Sequence, residues 1–103
     1  PDEQQVTIEV ARMLREIFLQ QNAYDPVDTY CDMVKQFDIM KAIKYYSDQS
    51  NTALKAGVMT AQITGLKAKL DLPQIKYIKD YKPEMEKIMK GMETEFTQLR
   101  EAA

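Results

Sequence analysis

The sequence predicts an all-α fold: a helical bundle of three longer helices plus short connecting helices, built as a single helical domain over residues 1–103. Three observations lead there. Apolar residues recur three and four positions apart over long stretches, the spacing that lines one face of a helix. Only three Gly and four Pro interrupt the chain, too few for the turns of a loop-rich all-β fold. The balance of 45% hydrophobic and 29% charged residues is that of a globular domain, and a chain of this size buries roughly 65% of its unfolded surface around one core.

The first helix is expected at about 3–21, where Val6, Val10, Met13, Leu14, Ile17 and Phe18 form one stripe and Asp2 and Glu3 sit favourably at the amino end of the dipole. The chain must then turn. Asn22 is a permitted helix terminator, and the residue before Pro26 is pushed out of helical geometry. Asp25 suits a cap, Pro26 a first helical position and Asp28 the first turn of the next helix.

That second helix is expected at about 26–56. It carries Tyr30, Val34, Phe37 and Met40 on one side and Ile39, Ile43, Tyr46, Ala53 and Leu54 drifting round the other, a surface broad enough for more than one neighbour. The polar run Ser47–Asn51 marks where it would fray or bend, and Gly57 is a natural stop. Short helices are expected within 60–79, one capped by Thr60 and ended by Gly65, with Pro73 restarting the chain. The last helix, at about 83–101 and capped from Asp80 or nearby, has the stripe Met85, Ile88, Met89, Met92, Phe96 and Leu99. Gly91 within it costs about 1 kcal/mol relative to Ala, which is consistent with a close approach by a neighbour.

The absence of His removes the commonest metal ligand and general base, and the lone Cys31, among apolar neighbours, reads as a buried thiol in a reducing compartment. Asp25, Asp28 and Asp32 line up at helical spacing. They lack the His partners of a di-iron bundle and the glycine of a calcium loop, so no metal is expected. Lys67, Lys69, Lys76, Lys79 and Lys82 interleave with Tyr77 and Tyr81, superficially a phosphate-contacting face; Asp71 and Asp80 dilute it, and a solvated face is the expectation, with no nucleic-acid partner. The Met85–Met89–Met92 stripe is read as core. The three glycines, Gly57, Gly65 and Gly91, build no phosphate loop, and no nucleophile–base–acid set exists, so no catalytic residues are assigned and no cofactor is expected in this chain.

No stretch approaches a membrane span or a signal peptide, so a soluble, cytoplasmic protein without direct membrane insertion is expected. The start at Pro1 suggests a piece of something longer. Residues 1–50 carry nine acids against five bases, and residues 51–103 nine bases against seven acids, a mild asymmetry suited to orienting a docking partner.

The wording of the corner is more specific than its physics. Arg15-Glu16, Phe18-Leu19-Gln20-Gln21-Asn22-Ala23-Tyr24, Val27-Asp28-Thr29-Tyr30-Cys31 and Lys35-Gln36-Phe37 closely resemble the C-terminal region of the catalytic A subunit of archaeal and vacuolar-type rotary ATPases. The resemblance is strong from about Val6 to Tyr46, thin through the middle and only architectural from Pro83 onward. Ile17 stands where the family usually has an acidic residue, and Tyr24 where it has phenylalanine.

This resemblance implies a domain that couples opening and closing of a nucleotide site to central-stalk rotation and to proton or sodium transport. ATP or ADP with Mg would then be bound elsewhere in the full-length protein, an ATP-hydrolysing or ATP-synthesising ion translocase peripheral to the membrane. The implied partners are neighbouring A and B subunits of a hexameric head and the rotor subunits of the central stalk. By analogy with related rotary enzymes, Asp2, Glu3, Gln4 and Gln5 would contact the rotor, and Tyr24 would lie against the adenine, where its ring stacks but its hydroxyl needs a partner. The rival class is a free-standing helical interaction module using the second helix or the Met stripe.

A stacking ring without phosphate contacts offers little affinity. The chain alone is therefore expected to show no measurable ATP binding in calorimetry, and a clear micromolar isotherm would contradict that.

Overall fold

The computed structural model describes residues 2–16 and 33–103, and in them the apolar stripes turn toward one another. The elements are α1 (Asp2–Leu14), α2 (Met33–Lys55), α3 (Thr60–Thr64), a 3-10 helix (Ala68–Tyr77) and α4 (Lys82–Ala102), with no strand among the described residues. The corner at 17–32, including the expected ends of the first two helices, lies outside the described residues.

α1 buries Val6 and Met13 and packs mainly on α2, with a smaller contact to α3. α2 turns Ile39, Ala42, Ile43, Tyr46 and Ala53 inward. It runs unbroken through Ser47–Asn51, where fraying or bending was the sequence expectation. The Ser50 hydroxyl donates to the Tyr46 carbonyl at 2.6 Å and the Thr52 hydroxyl to the Asp48 carbonyl at 3.1 Å, so these side chains bond back onto the helix instead of unwinding it.

At its carboxyl end Gly57 takes φ 96°, the left-handed conformation that glycine adopts without a Cβ penalty. Gly57 N–H donates to the Leu54 carbonyl and Val58 N–H to the Ala53 carbonyl, a Schellman termination with Val58 buried behind it.

Thr60 is not the cap of α3. Met59 holds that position, and its N–H donates to Oε1 of Gln62 at 3.1 Å. Pro73 does not restart the chain either: it lies inside an uninterrupted ten-residue 3-10 helix, a length rarely reached by that geometry. Its threefold repeat aligns positions three apart, so Lys69, Leu72 and Ile75 all point into the protein, behind the buried Leu66 that precedes the helix.

α4 lays Met85, Ile88, Met92 and Phe96 on the 3-10 helix and α2. Tyr81, not Asp80, occupies its N-cap position and makes no side-chain cap bond. Pro83, in the first turn, has no N–H to leave unsatisfied there. A Cβ on Gly91 would stand 3.0 Å from the Cβ of Ala68, so the glycine is what lets the 3-10 helix lie flush against α4.

Phe96 is fully buried, with its ring 5.9 Å from that of Tyr46. Phe96→Ala is expected to destabilise the fold by about 3–5 kcal/mol, read as a lower urea midpoint at nearly constant slope.

Candidate functional site

Of the residues assigned to rotor contact, Asp2 opens α1, and Glu3, Gln4 and Gln5 follow it as exposed residues of the first turn. The Thr7 hydroxyl braces that turn on the Glu3 carbonyl at 2.9 Å. Tyr24, Cys31 and the carboxylates Asp25, Asp28 and Asp32 lie outside the described residues. Among the described residues, no group of three or more His, Cys, Asp or Glu is placed to hold a metal ion.

The structure instead gathers charge inside the bundle. Lys69, 4% exposed, projects from the 3-10 helix and donates to Oε1 of Glu9 on α1 at 2.8 Å. Arg12, one turn along α1, pairs with the same carboxylate and reaches Glu16 at 2.5 Å. Burial pushes the Glu9 carboxyl up, but the hydrogen bonds and charges of Arg12 and Lys69 outweigh it and hold it below its ordinary value. The Lys69 ammonium also stands 5.9 Å from the centre of the Tyr46 ring, whose hydroxyl donates to the Ile63 carbonyl at 3.2 Å. Burial, and then the negative charge of Glu9, raise the Tyr46 phenol far above its usual range, so it stays a neutral donor.

A second polar tie closes the far end of the 3-10 helix. Lys35 of α2, 1% exposed, donates to the carbonyl of Ile78 at 2.6 Å and to that of Lys76 at 3.4 Å. Its ammonium lies 5.2 Å from the Tyr81 ring, and the Tyr81 hydroxyl donates to Asp38 at 2.6 Å. At the near end, Glu95 of α4 accepts from the backbone N–H of Lys67 and of Ala68, at 2.9 and 2.7 Å.

Opposite its core face, the amino-terminal half of α2 leaves Met33, Val34, Phe37 and Met40 exposed, Met33 to 85%. Beside this stripe a groove of about 340 Å³ runs between Asp38, Lys41 and Ala42 on α2 and Lys82, Met85 and Met89 on α4. Met85 and Met92 are buried and Met89 packs against the core, so the Met stripe serves the interior.

The solvated lysine face is corrected by the structure. Lys67, Lys79 and Lys82 are exposed, but Lys69 and Lys76 are 4% and 3% exposed, and Tyr81 is buried as well. The physical reason is the threefold helix, in which Lys69 shares a face with Leu72 and Ile75. Lys35 and Glu9 were also missed. Lys35 precedes Ile39 and Ala42 by one and two turns on the buried stripe, a signal that was readable; the spacing of Glu9 and Arg12 announces a helical ion pair but not the tie to Lys69, 60 positions away.

These helices, tied to one another by polar contacts across the bundle, define an all-α helical domain. Comparison with known proteins makes it particular: residues 1–64 match the family described as the C-terminal domain of V and A type ATP synthase, and the chain belongs to that family. It is 81% identical over all 103 residues to the A-type ATP synthase A subunit 1 of Methanospirillum hungatei and 66% identical to the A-type ATP synthase A subunit of Methanoregula boonei. It is 43% identical over 99 residues to the corresponding A subunit of Methanosarcina mazei. The chain spans 18%, 18% and 17% of the lengths of these relatives. No helix among the described residues is long and apolar enough to cross a membrane.

Removing Glu9 strands Lys69 in the interior. Glu9→Ala is expected to destabilise by about 3–5 kcal/mol, while Glu9→Leu combined with Lys69→Met returns to within about 1 kcal/mol of the parent, a pattern that urea denaturation of the single and double variants resolves. Because Glu9 is depressed in the folded chain, its contribution is full above its ordinary value of 4.5 and is lost as pH falls through the folded value; the gap between parent and Glu9→Ala should close on acidification.

Proposed function

We propose that this chain is the coupling domain of a catalytic A subunit in an A-type rotary ATP synthase. It would follow the opening and closing of a nucleotide site elsewhere in the full-length protein and pass that movement to the central stalk. The observation that carries the reading is 81% identity along the whole chain to the A subunit of an A-type ATP synthase. The polar ties support it physically. A packed interior pinned by Glu9, Lys35 and Glu95 transmits displacement as a rigid body, and coupling needs only a rotor surface that favours one position of that body over another.

In this reading the full-length protein hydrolyses or makes ATP with Mg, drives proton or sodium transport, and sits in a hexameric head among A and B neighbours, peripheral to the membrane. Asp2, Glu3, Gln4 and Gln5 meet the rotor and Tyr24 lies against the adenine. Glu3, Gln4 and Gln5 are exposed at one end of α1, as a contact edge requires.

The test is a titration of the chain against the purified central-stalk subunits, with the same substitutions then carried into the assembled enzyme. Salt-sensitive binding weakened about tenfold by Asp2→Lys with Glu3→Lys is expected, together with ion pumping that falls relative to ATP hydrolysis. An unchanged pumping-to-hydrolysis ratio and unchanged binding would remove the amino-terminal edge from the rotor contact.

A further inference from the structure

The 3-10 helix is held from outside more than from within. Threefold hydrogen bonding is the weaker pattern and rarely persists for ten residues, and Pro73, which lacks an N–H and would clash with the Lys69 carbonyl in an α-helix, denies the segment the stronger alternative. Three helices make up the difference with charged side chains. Glu95 of α4 takes the two N–H groups at its start, Glu9 of α1 takes the side chain of Lys69 in its first turn, and Lys35 of α2 takes the Ile78 and Lys76 carbonyls at its end. Leu72 and Ile75, both fully buried, keep the closed form dominant.

From this we infer that residues 67–78 form a clasp, which opens and closes as one cooperative unit ahead of global unfolding, with Glu95 as its latch. Its ten residues, one of them a proline without an N–H, hold less internal structure to break than α2, a continuous 23-residue helix through the core. Opening would release α1, α2 and α4 from their shared ties at once, so the clasp sets whether the bundle is rigid or can repack. It gives the fold a closed, transmitting state and an open, relaxed one.

Two substitutions address the latch independently. Glu95→Gln removes the charge that holds the two N–H groups. Gly91→Ala places a Cβ 3.0 Å from that of Ala68 and wedges the clasp off α4, while raising the helix propensity of α4 itself.

The experiment is native-state amide exchange on the whole chain at neutral pH, followed by mass spectrometry across sub-denaturing urea. Peptides covering 67–78 are expected to exchange together, at lower urea and with a weaker urea dependence than peptides covering 39–53. Glu95→Gln and Gly91→Ala should each speed exchange of 67–78 about tenfold and leave 39–53 unchanged. Exchange of 67–78 in step with 39–53 in the parent would overturn the clasp, and variants that accelerate both regions equally would overturn the latch.

Discussion

An ammonium group in an apolar interior needs a carboxylate, carbonyls or an aromatic face to keep its charge, and much of this fold can be derived from how Lys69 meets that requirement. The side chain points inward because its helix repeats every three residues, and Glu9 is the carboxylate that meets it, at 2.8 Å. One contact then fixes the rotation of α1, since turning Glu9 toward Lys69 also turns Val6 and Met13 into the core. Arg12 shares the carboxylate and extends to Glu16, and Tyr46 presents its ring to the same ammonium while its hydroxyl reaches α3. Tyr46 also meets Phe96, so α1, α2, α3, the 3-10 helix and α4 converge within a few ångströms of one buried phenol.

The α-helices could be read from the sequence because their packing is local in register. Val6 and Met13, Ile39 and Ile43, and Met85, Ile88, Met92 and Phe96 are stripes of period 3.6, and burial follows them closely. Gly57 and Gly91 were legible for a related reason: a residue without a Cβ in a helical context marks either a left-handed stop or a close approach, and one does each. The lysines of 67–82 were read as a solvated face because nothing local announces the threefold helix at Ala68–Tyr77. In that helix Lys69, Leu72 and Ile75 form one inward stripe with a lysine at its start.

The polar ties were illegible for a different reason. Lys69 finds Glu9 across 60 positions, Tyr81 finds Asp38 across 43 and Lys67 finds Glu95 across 28, and no local pattern encodes such pairs. Lys35 is the exception, since a lysine on the stripe of Ile39 and Ala42 must either snorkel or be paired. The family was legible through the wording of a stretch that lies largely outside the described residues; the adenine contact proposed for Tyr24 rests on that wording, and the rotor contact proposed for Asp2, Glu3, Gln4 and Gln5 on analogy with related rotary enzymes.

Rigidity and motion are reconciled by where the fold puts its polar contacts. Apolar side chains in α2 and α4 interdigitate and resist sliding, whereas the ties from Glu9, Lys35 and Glu95 are few, directional and converge on one short segment. The ties of Lys35 and Lys69 resist being broken singly, because a buried charge that loses its partner destabilises whatever state retains it. A domain that has to move as a body benefits when such ties are closed, since they remove the small adjustments that would dissipate a push. The same concentration means that relaxation, when it comes, is confined to the 3-10 helix and leaves the α-helical core intact.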